Sequence, residues 1–243
     1  MAQIFSRSSN QIPKQGLVGF LALGGFVIFA FYWWASPSNT DVGYKPVQPI
    51  AYSHALHAGT LKLDCRYCHM FAERGAFAGV PPTQVCMNCH QQVKKDSALL
   101  KPLMASWADG KGDKSIPWVR IHKVPDFGFF NHSAHVGVGV GGNRAAIGCE
   151  TCHGRIDTME VVSQQQPLSM SWCIECHSNP APNLRPVEAI TAMGWKGDLA
   201  WTSKAQTIAA TLNPPGSLSA TQKQMADGHY ETFATAGCNG CHR

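Results

Sequence analysis

Ten cysteines in a chain of 243 residues fall into five copies of one pattern, Cys-x-x-Cys-His. The copies are Cys65, Cys68 and His69; Cys86, Cys89 and His90; Cys149, Cys152 and His153; Cys173, Cys176 and His177; and Cys238, Cys241 and His242. No cysteine lies outside the pattern. Two thiols three residues apart stand on one face of a helical turn, where they can form thioether bonds to the two vinyl groups of one haem. The imidazole that follows then reaches the iron. Zinc sites, redox dithiols and disulfide frameworks also use Cys-x-x-Cys pairs. Zinc takes its ligands in fours, however, and none of the three needs a histidine directly after every pair. The pattern predicts five covalently bound haem c groups, with His69, His90, His153, His177 and His242 as proximal iron ligands.

Six of the eleven histidines remain: His54, His57, His122, His132, His135 and His229. Four of them form two His-x-x-His pairs, "SHALH" and "NHSAH", each upstream of a Cys-x-x-Cys-His. Residues three apart share a helix face, and one iron with a proximal histidine has room for only one more imidazole. Each pair is therefore expected to serve two irons, so that His54, His57, His132 and His135 are distal ligands. For the fifth iron the foremost expectation is His122, approaching from a distant part of the chain; His229 and a methionine such as Met193 or Met225 are the alternatives.

The elements that must position these groups are also readable. Gly16 to Ala35 is an uncharged apolar run of twenty residues, about 30 Å as a helix and long enough for a bilayer core. Arg7 and Lys14 precede it and Asp41 follows, which predicts a cytoplasmic N-terminus under the positive-inside rule. The expected organisation is residues 1–15 cytoplasmic, 16–35 an uncleaved membrane anchor, 36–50 an extended Pro-rich linker, and 51–243 an extracytoplasmic (periplasmic) pentahaem domain. That domain holds two repeat units, 51–90 and 130–177, each reading His-x-x-His, Cys-x-x-Cys-His, then a proline-led approach to another Cys-x-x-Cys-His. A C-terminal haem segment, 217–243, follows, with a helix expected from Ser219 to about Gly237. About 190 residues around five cofactors leave little chain for a side-chain core. The predicted fold class is mostly α with extensive irregular loops and little β-sheet.

The formal charge of +5 is offset by the haem propionates, which removes the case for nucleic-acid binding. Trp107, Trp118, Trp172, Trp195 and Trp201 are read as interior packing, Met159 and Met170 as core filling, and Lys94, Lys95 and Lys101 as a solvated face.

The paired units, joined by "WVRIHKVPDFGFFNHSAH", followed by "CETCHGRIDTMEVVSQQQPLSMSWCIECH" and preceded by an N-terminal anchor, resemble the cytochrome c7/c3-type multihaem proteins. The five motifs and single anchor are most similar to the pentahaem cytochrome c subunits of alternative complex III. That resemblance implies an integral-membrane quinol-binding subunit, a periplasmic iron–sulfur subunit, and a monohaem cytochrome c or small copper protein as electron acceptor. It implies the inner membrane of a bacterial cell as the location.

The expected function is an electron-transfer subunit without a catalytic residue of its own, relaying electrons from a quinol-oxidising complex. One alternative is the same role beside a periplasmic molybdenum/iron–sulfur oxidoreductase. Another is a multihaem reductase of a small oxyanion, which needs an iron with an open position; all five motifs here end in histidine. A third, a quinol dehydrogenase in its own right, lacks any Asp, Glu, His, Lys or Arg inside the apolar run.

Overall fold

The structure is a computed structural model. It describes residues 6–35, 41–107, 114–137, 145–212 and 241–242. The chain divides into two compact units, with the boundary between Asp41 and Val42.

The described part of the first unit is a short 3-10 turn, Arg7–Gln11, that runs into a long helix, α1, Ile12–Ala35. It starts one turn earlier than the apolar run, taking in Pro13 and Lys14; proline is tolerated there because first-turn N–H groups have no intrahelical partner. Its apolar side chains are bare, with Phe20 at 74% and Trp34 at 78% exposure. By length and composition this helix can cross a membrane.

The second unit is built from short helices joined by irregular chain: α2 Cys65–Cys68, α3 Thr83–His90, α4 Lys101–Ser106, α5 His132–Val136, α6 Cys149–His153, α7 Met170–Ser178 and α8 Leu199–Leu212. Among the described residues the sheet is one antiparallel pair, β1 Ala145–Ile147 with β2 Leu184–Pro186, in the register Ala146 opposite Arg185. The protein is thus mostly helical with little sheet, as its sequence predicts.

Local side chains start the motif helices. Asp64 accepts from the Arg66 N–H ahead of α2, Asn131 from the Ser133 N–H ahead of α5, and Ser169 from the Trp172 N–H ahead of α7. Each satisfies a first-turn donor that has no intrahelical acceptor. The segment 43–50 is extended but pinned. Gly43 donates to the Gln164 carbonyl, Gln164 donates back to Tyr44, and the Gln48 amide both donates to and accepts from the Val119 backbone.

Apolar burial is divided among three small clusters. Ala145, Ile147 and Leu184 pack on Ala205 and Ile208 of α8. Ile50, Met87 and Leu103 pack with Trp107 and Trp118 around α3 and α4. Val136, Ala146 and Ile190 pack with Ala72 and Val187. Met170 departs from the core-filling expectation: it is 63% exposed at the first position of α7. Large apolar side chains also lie open beside the first motif, with Met70, Phe71, Phe77 and Val80 between 43% and 71% exposed. A side-chain core does not account for them; a flat apolar group against that surface would cover them.

Candidate haem-binding sites

Four of the Cys-x-x-Cys pairs occupy a helical turn each, in α2, α3, α6 and α7. Their thiols are therefore one turn apart on a common face. All nine described cysteines are free. Gly154, directly after His153, has φ +70° and ends α6 in a conformation that suits a residue without Cβ. Of the fifth motif, Cys241 and His242 are described and Cys238 lies outside the described residues, as do His229, Met225 and the helix expected from Ser219.

The imidazoles are oriented by their Nδ1 atoms. His69 Nδ1 is 2.7 Å from the Gly79 carbonyl and His90 Nδ1 2.9 Å from that of Val93. His57 pairs with Ser53 O, His132 with Ala76 O and His135 with Asn131 O, each at 2.8 Å. A carbonyl can only accept, so Nδ1 carries the proton and Nε2 presents its lone pair, the tautomer a metal-binding histidine adopts.

Three pairs of imidazoles stand at similar separations, with ring planes inclined at 63°, 7° and 46°. Ring centres are 6.2 Å apart for His57 and His90, 6.4 Å for His132 and His153, and 6.0 Å for His135 and His177. A metal-bound imidazole nitrogen lies about 2.0 Å from the ion and its ring centre about 1.1 Å further, so two such rings on opposite sides of one iron stand about 6.2 Å apart. The observed separations fit that spacing. Each facing pair joins one motif histidine to one His-x-x-His histidine. His54 lies close enough to His69 for the two to repel as cations, and burial is the larger reason its pKa falls to about 4.

Among the described residues no three His, Cys, Asp or Glu side chains converge as a metal-ion site. The protein instead offers opposed imidazoles beside paired thiols and uncovered apolar surface, a donor set that fits haem c.

Burial lowers the pKa of His135 and of His122, and takes His153 down to about 3. Neutral imidazole is the ligating form, so the fold favours it at neutral pH. Burial also raises the thiols of Cys68, Cys86, Cys173 and Cys176, and pushes Cys152 up to about 12. The neighbouring Cys65 and Cys149 thiols act on each other, which lowers Cys65 and raises Cys149.

An aromatic residue two positions before each His-x-x-His has no place in the sequence reading. Tyr52 stacks on His57 at 4.4 Å and meets His54 edge-on at 4.7 Å. Phe130 does the same to His135 at 4.6 Å and His132 at 4.8 Å. The shared offset, in "YSHALH" and "FNHSAH", was the available signal. A glycine two positions after each pair belongs to the same unit. A Cβ on Gly59 would run into the Asp157 carbonyl, and one on Gly137 would lie 2.9 Å from the Glu73 carbonyl.

These contacts are reciprocal between the repeats. Ala55 N–H donates to Met159 O and Ser133 N–H to Gly75 O, at 2.9 and 3.0 Å. In each case the donor follows the first histidine of one pair, and the acceptor lies six residues past the first motif histidine of the other unit.

The structure brings His122 to the third motif. Its ring is 4.3 Å from that of His153, edge-on, with Nε2 buried and without a hydrogen-bond partner. Beside His242 stands Phe127, stacked at 5.9 Å. The intervening chain separates the two: Pro125 and Gly128 close a turn that carries Phe127 to the fifth motif while His122 stays at the third.

The chain matches no protein-family profile. Among curated proteins it is similar to the multiheme cytochrome c subunit of menaquinone reductase from Nitratidesulfovibrio vulgaris (strain Hildenborough), at 32% identity over 131 residues. The aligned part is 54% of this chain and 56% of that subunit, so the chain spans about half the length of the curated relative it matches.

Proposed function

We propose that this protein is a membrane-anchored pentahaem c-type cytochrome that relays single electrons between a quinone-handling membrane partner and an extracytoplasmic redox partner. The observation that carries the reading is the set of three imidazole pairs, each opposing a motif histidine to a His-x-x-His histidine at 6.0–6.4 Å. When bound, haem supplies a one-electron Fe(III)/Fe(II) couple, and irons with two imidazole ligands cycle without binding substrate. In this reading Cys65 with Cys68, Cys86 with Cys89, Cys149 with Cys152, Cys173 with Cys176 and Cys238 with Cys241 anchor the five haems. His69, His90, His153, His177 and His242 are proximal, and His54, His57, His132 and His135 distal. For the fifth iron the distal candidates are His122, whose ring lies against His153, His229 and a methionine such as Met193 or Met225.

Helix α1 is the anchor, with the N-terminus cytoplasmic and the haem domain outside. It has no Asp, Glu, His, Lys or Arg between Gly16 and Ala35 to take a proton at quinol depth, so in this reading quinone chemistry belongs to an integral-membrane partner. Quinol oxidation yields two electrons and two protons, and the cytochrome takes the electrons one at a time. An iron–sulfur subunit completes the complex, and a monohaem cytochrome c or copper protein accepts the electrons, in a role of the alternative complex III type.

The name of the relative favours a second reading in which electrons run the other way, from an external donor to a quinone. Both are tested on the complex purified with this subunit. Addition of a menaquinol analogue should reduce the haems, seen as growth of the reduced α-band. If the quinol leaves them oxidised while a menaquinone analogue oxidises prereduced haems, the quinone-reducing direction replaces the first. Carbon monoxide binding to the reduced protein, or a high-spin ferric signal from an intact iron, would instead support an open position and a reductase.

A further inference from the structure

We infer that the five motifs are ordered in space as two, one, three, four, five, so that the second and fifth, rather than the first and fifth, are the ends of the haem array. This order rests on the haem reading above, and each step in it is a contact between named residues.

Motif two joins motif one. Asn88, inside the second motif, donates from Nδ2 to the Tyr67 hydroxyl inside the first at 3.1 Å. His57, which faces His90, sits three residues from His54, whose neighbour is His69. Otherwise α3 packs into its own cluster with Ile50, Leu103 and Trp118.

Motif one joins motif three, which is the step that departs from chain order. One short segment serves the starts of both motif helices: Ile190 O accepts from Cys149 N at 3.0 Å, and Thr191 Oγ1 donates to Asp64, the cap of α2, at 3.2 Å. The reciprocal bonds Ala55 to Met159 and Ser133 to Gly75 hold the two units about this point. A docking in which each unit uses the loop after the other's first motif must bring the two first motifs together. It leaves the two second motifs outermost.

Motif three joins motif four through α5, where His132 faces His153 and, one turn on, His135 faces His177. Motif four joins motif five through the next residues upstream. Phe130 stacks on His135, and Phe129 N–H donates to Cys241 O at 2.6 Å.

Pairs of gadolinium(III) chelate tags on the holoprotein test the order. The ten native cysteines are held in thioethers, so introduced cysteines take the tags. Full reduction makes low-spin iron diamagnetic, and gadolinium(III), which the reductant leaves unchanged, remains the spin observed. Lys94→Cys marks the second motif, Lys62→Cys the first, and Asp126→Cys the fifth; all three positions are exposed. Pulsed electron–electron resonance should give a longer 94–126 than 62–126 distance. The reverse would overturn the order.

A kinetic measurement gives a second check. With a photoactive ruthenium complex at position 126, an injected electron should arrive at the haem made a sink by His54→Met before that made a sink by His57→Met. Arrival in the opposite order restores chain order. A haem content of five with the wrong distances overturns the order alone, whereas a content below five, measured as pyridine haemochrome against protein mass, overturns the reading beneath it as well.

Discussion

His135 is held on three sides. Its Nδ1 donates to Asn131 O at 2.8 Å, Phe130 stacks on its face at 4.6 Å, and His177 stands opposite at 6.0 Å. Replacement by alanine removes an imidazole and leaves the cysteines untouched. His135→Ala is expected to retain five covalent haems by mass while converting one low-spin signal to high-spin by electron paramagnetic resonance. His57→Ala should do the same to a different signal, because His57 faces His90. Five low-spin centres in both variants would remove these histidines as ligands. The aromatic partner tests the stack: Phe130→Leu keeps apolar volume but gives up a ring contact worth about 1 kcal/mol, so the α5 segment should exchange its amides faster with all haems still low-spin.

At the scale of elements, Asp64 caps α2 with an oxygen that also pairs with Arg66 at 2.8 Å. The hydrogen bond from Arg66 is the main reason the Asp64 pKa falls from its ordinary 3.8 to about 2. A carboxyl depressed on folding stabilises fully above its unfolded pKa, and that contribution fades as pH falls through the folded value. Asp64→Asn keeps the capping acceptor and loses the charge. Its melting temperature should lie below wild type at pH 5, with the gap closing between about pH 4 and about pH 2. Both groups are largely exposed, so solvent screening keeps the gap small. Asp64→Ala also loses the cap, costing about 1 kcal/mol, and should melt lower than Asp64→Asn at every pH. The reciprocal docking has its own probe. A Cβ at Gly59 meets the Asp157 carbonyl, and backbone cannot swing aside as a side chain does. Gly59→Ala should therefore cost about 1–3 kcal/mol, seen as a lower melting temperature of the haem domain.

At the scale of the whole molecule, burial of apolar side chains is scattered over three small clusters, while Phe71, Phe77 and Val80 stand open beside a motif. Stability is then expected to come largely from the cofactors, whose binding free energy is folding free energy. Protein made without haem attachment should lose its cooperative thermal transition while the holoprotein melts sharply; equal transitions would mean that the polypeptide packs by itself. Helix α1 contributes no buried residue. A form starting at Pro37, exported behind a cleavable signal, should remain soluble with its haems, whereas the full chain should partition into lipid vesicles.

Sequence alone determined the chemistry that is local. Thioether attachment requires two thiols one turn apart and an adjacent imidazole, so covalent geometry writes the motif into five consecutive residues, and the length of an apolar run limits what can cross a bilayer. The helical character and scarcity of sheet were legible for the same reason, since short capped turns around motifs leave no long alternating segments. Tertiary structure decided which imidazole faces which. Spacing says nothing about direction after a proline turn, so sequence offers His122 to the fifth iron by its remoteness alone; folding sets its ring beside His153 and turns Phe127 to His242. The roles of Tyr52 and Phe130 follow from stacking on the histidines of their own unit, and those of Gly59 and Gly137 from contacts between the two units, as Ser133 to Gly75 and Ala55 to Met159 illustrate. Such contacts depend on how two similar surfaces dock, a property of the assembled pair that neither repeat carries alone.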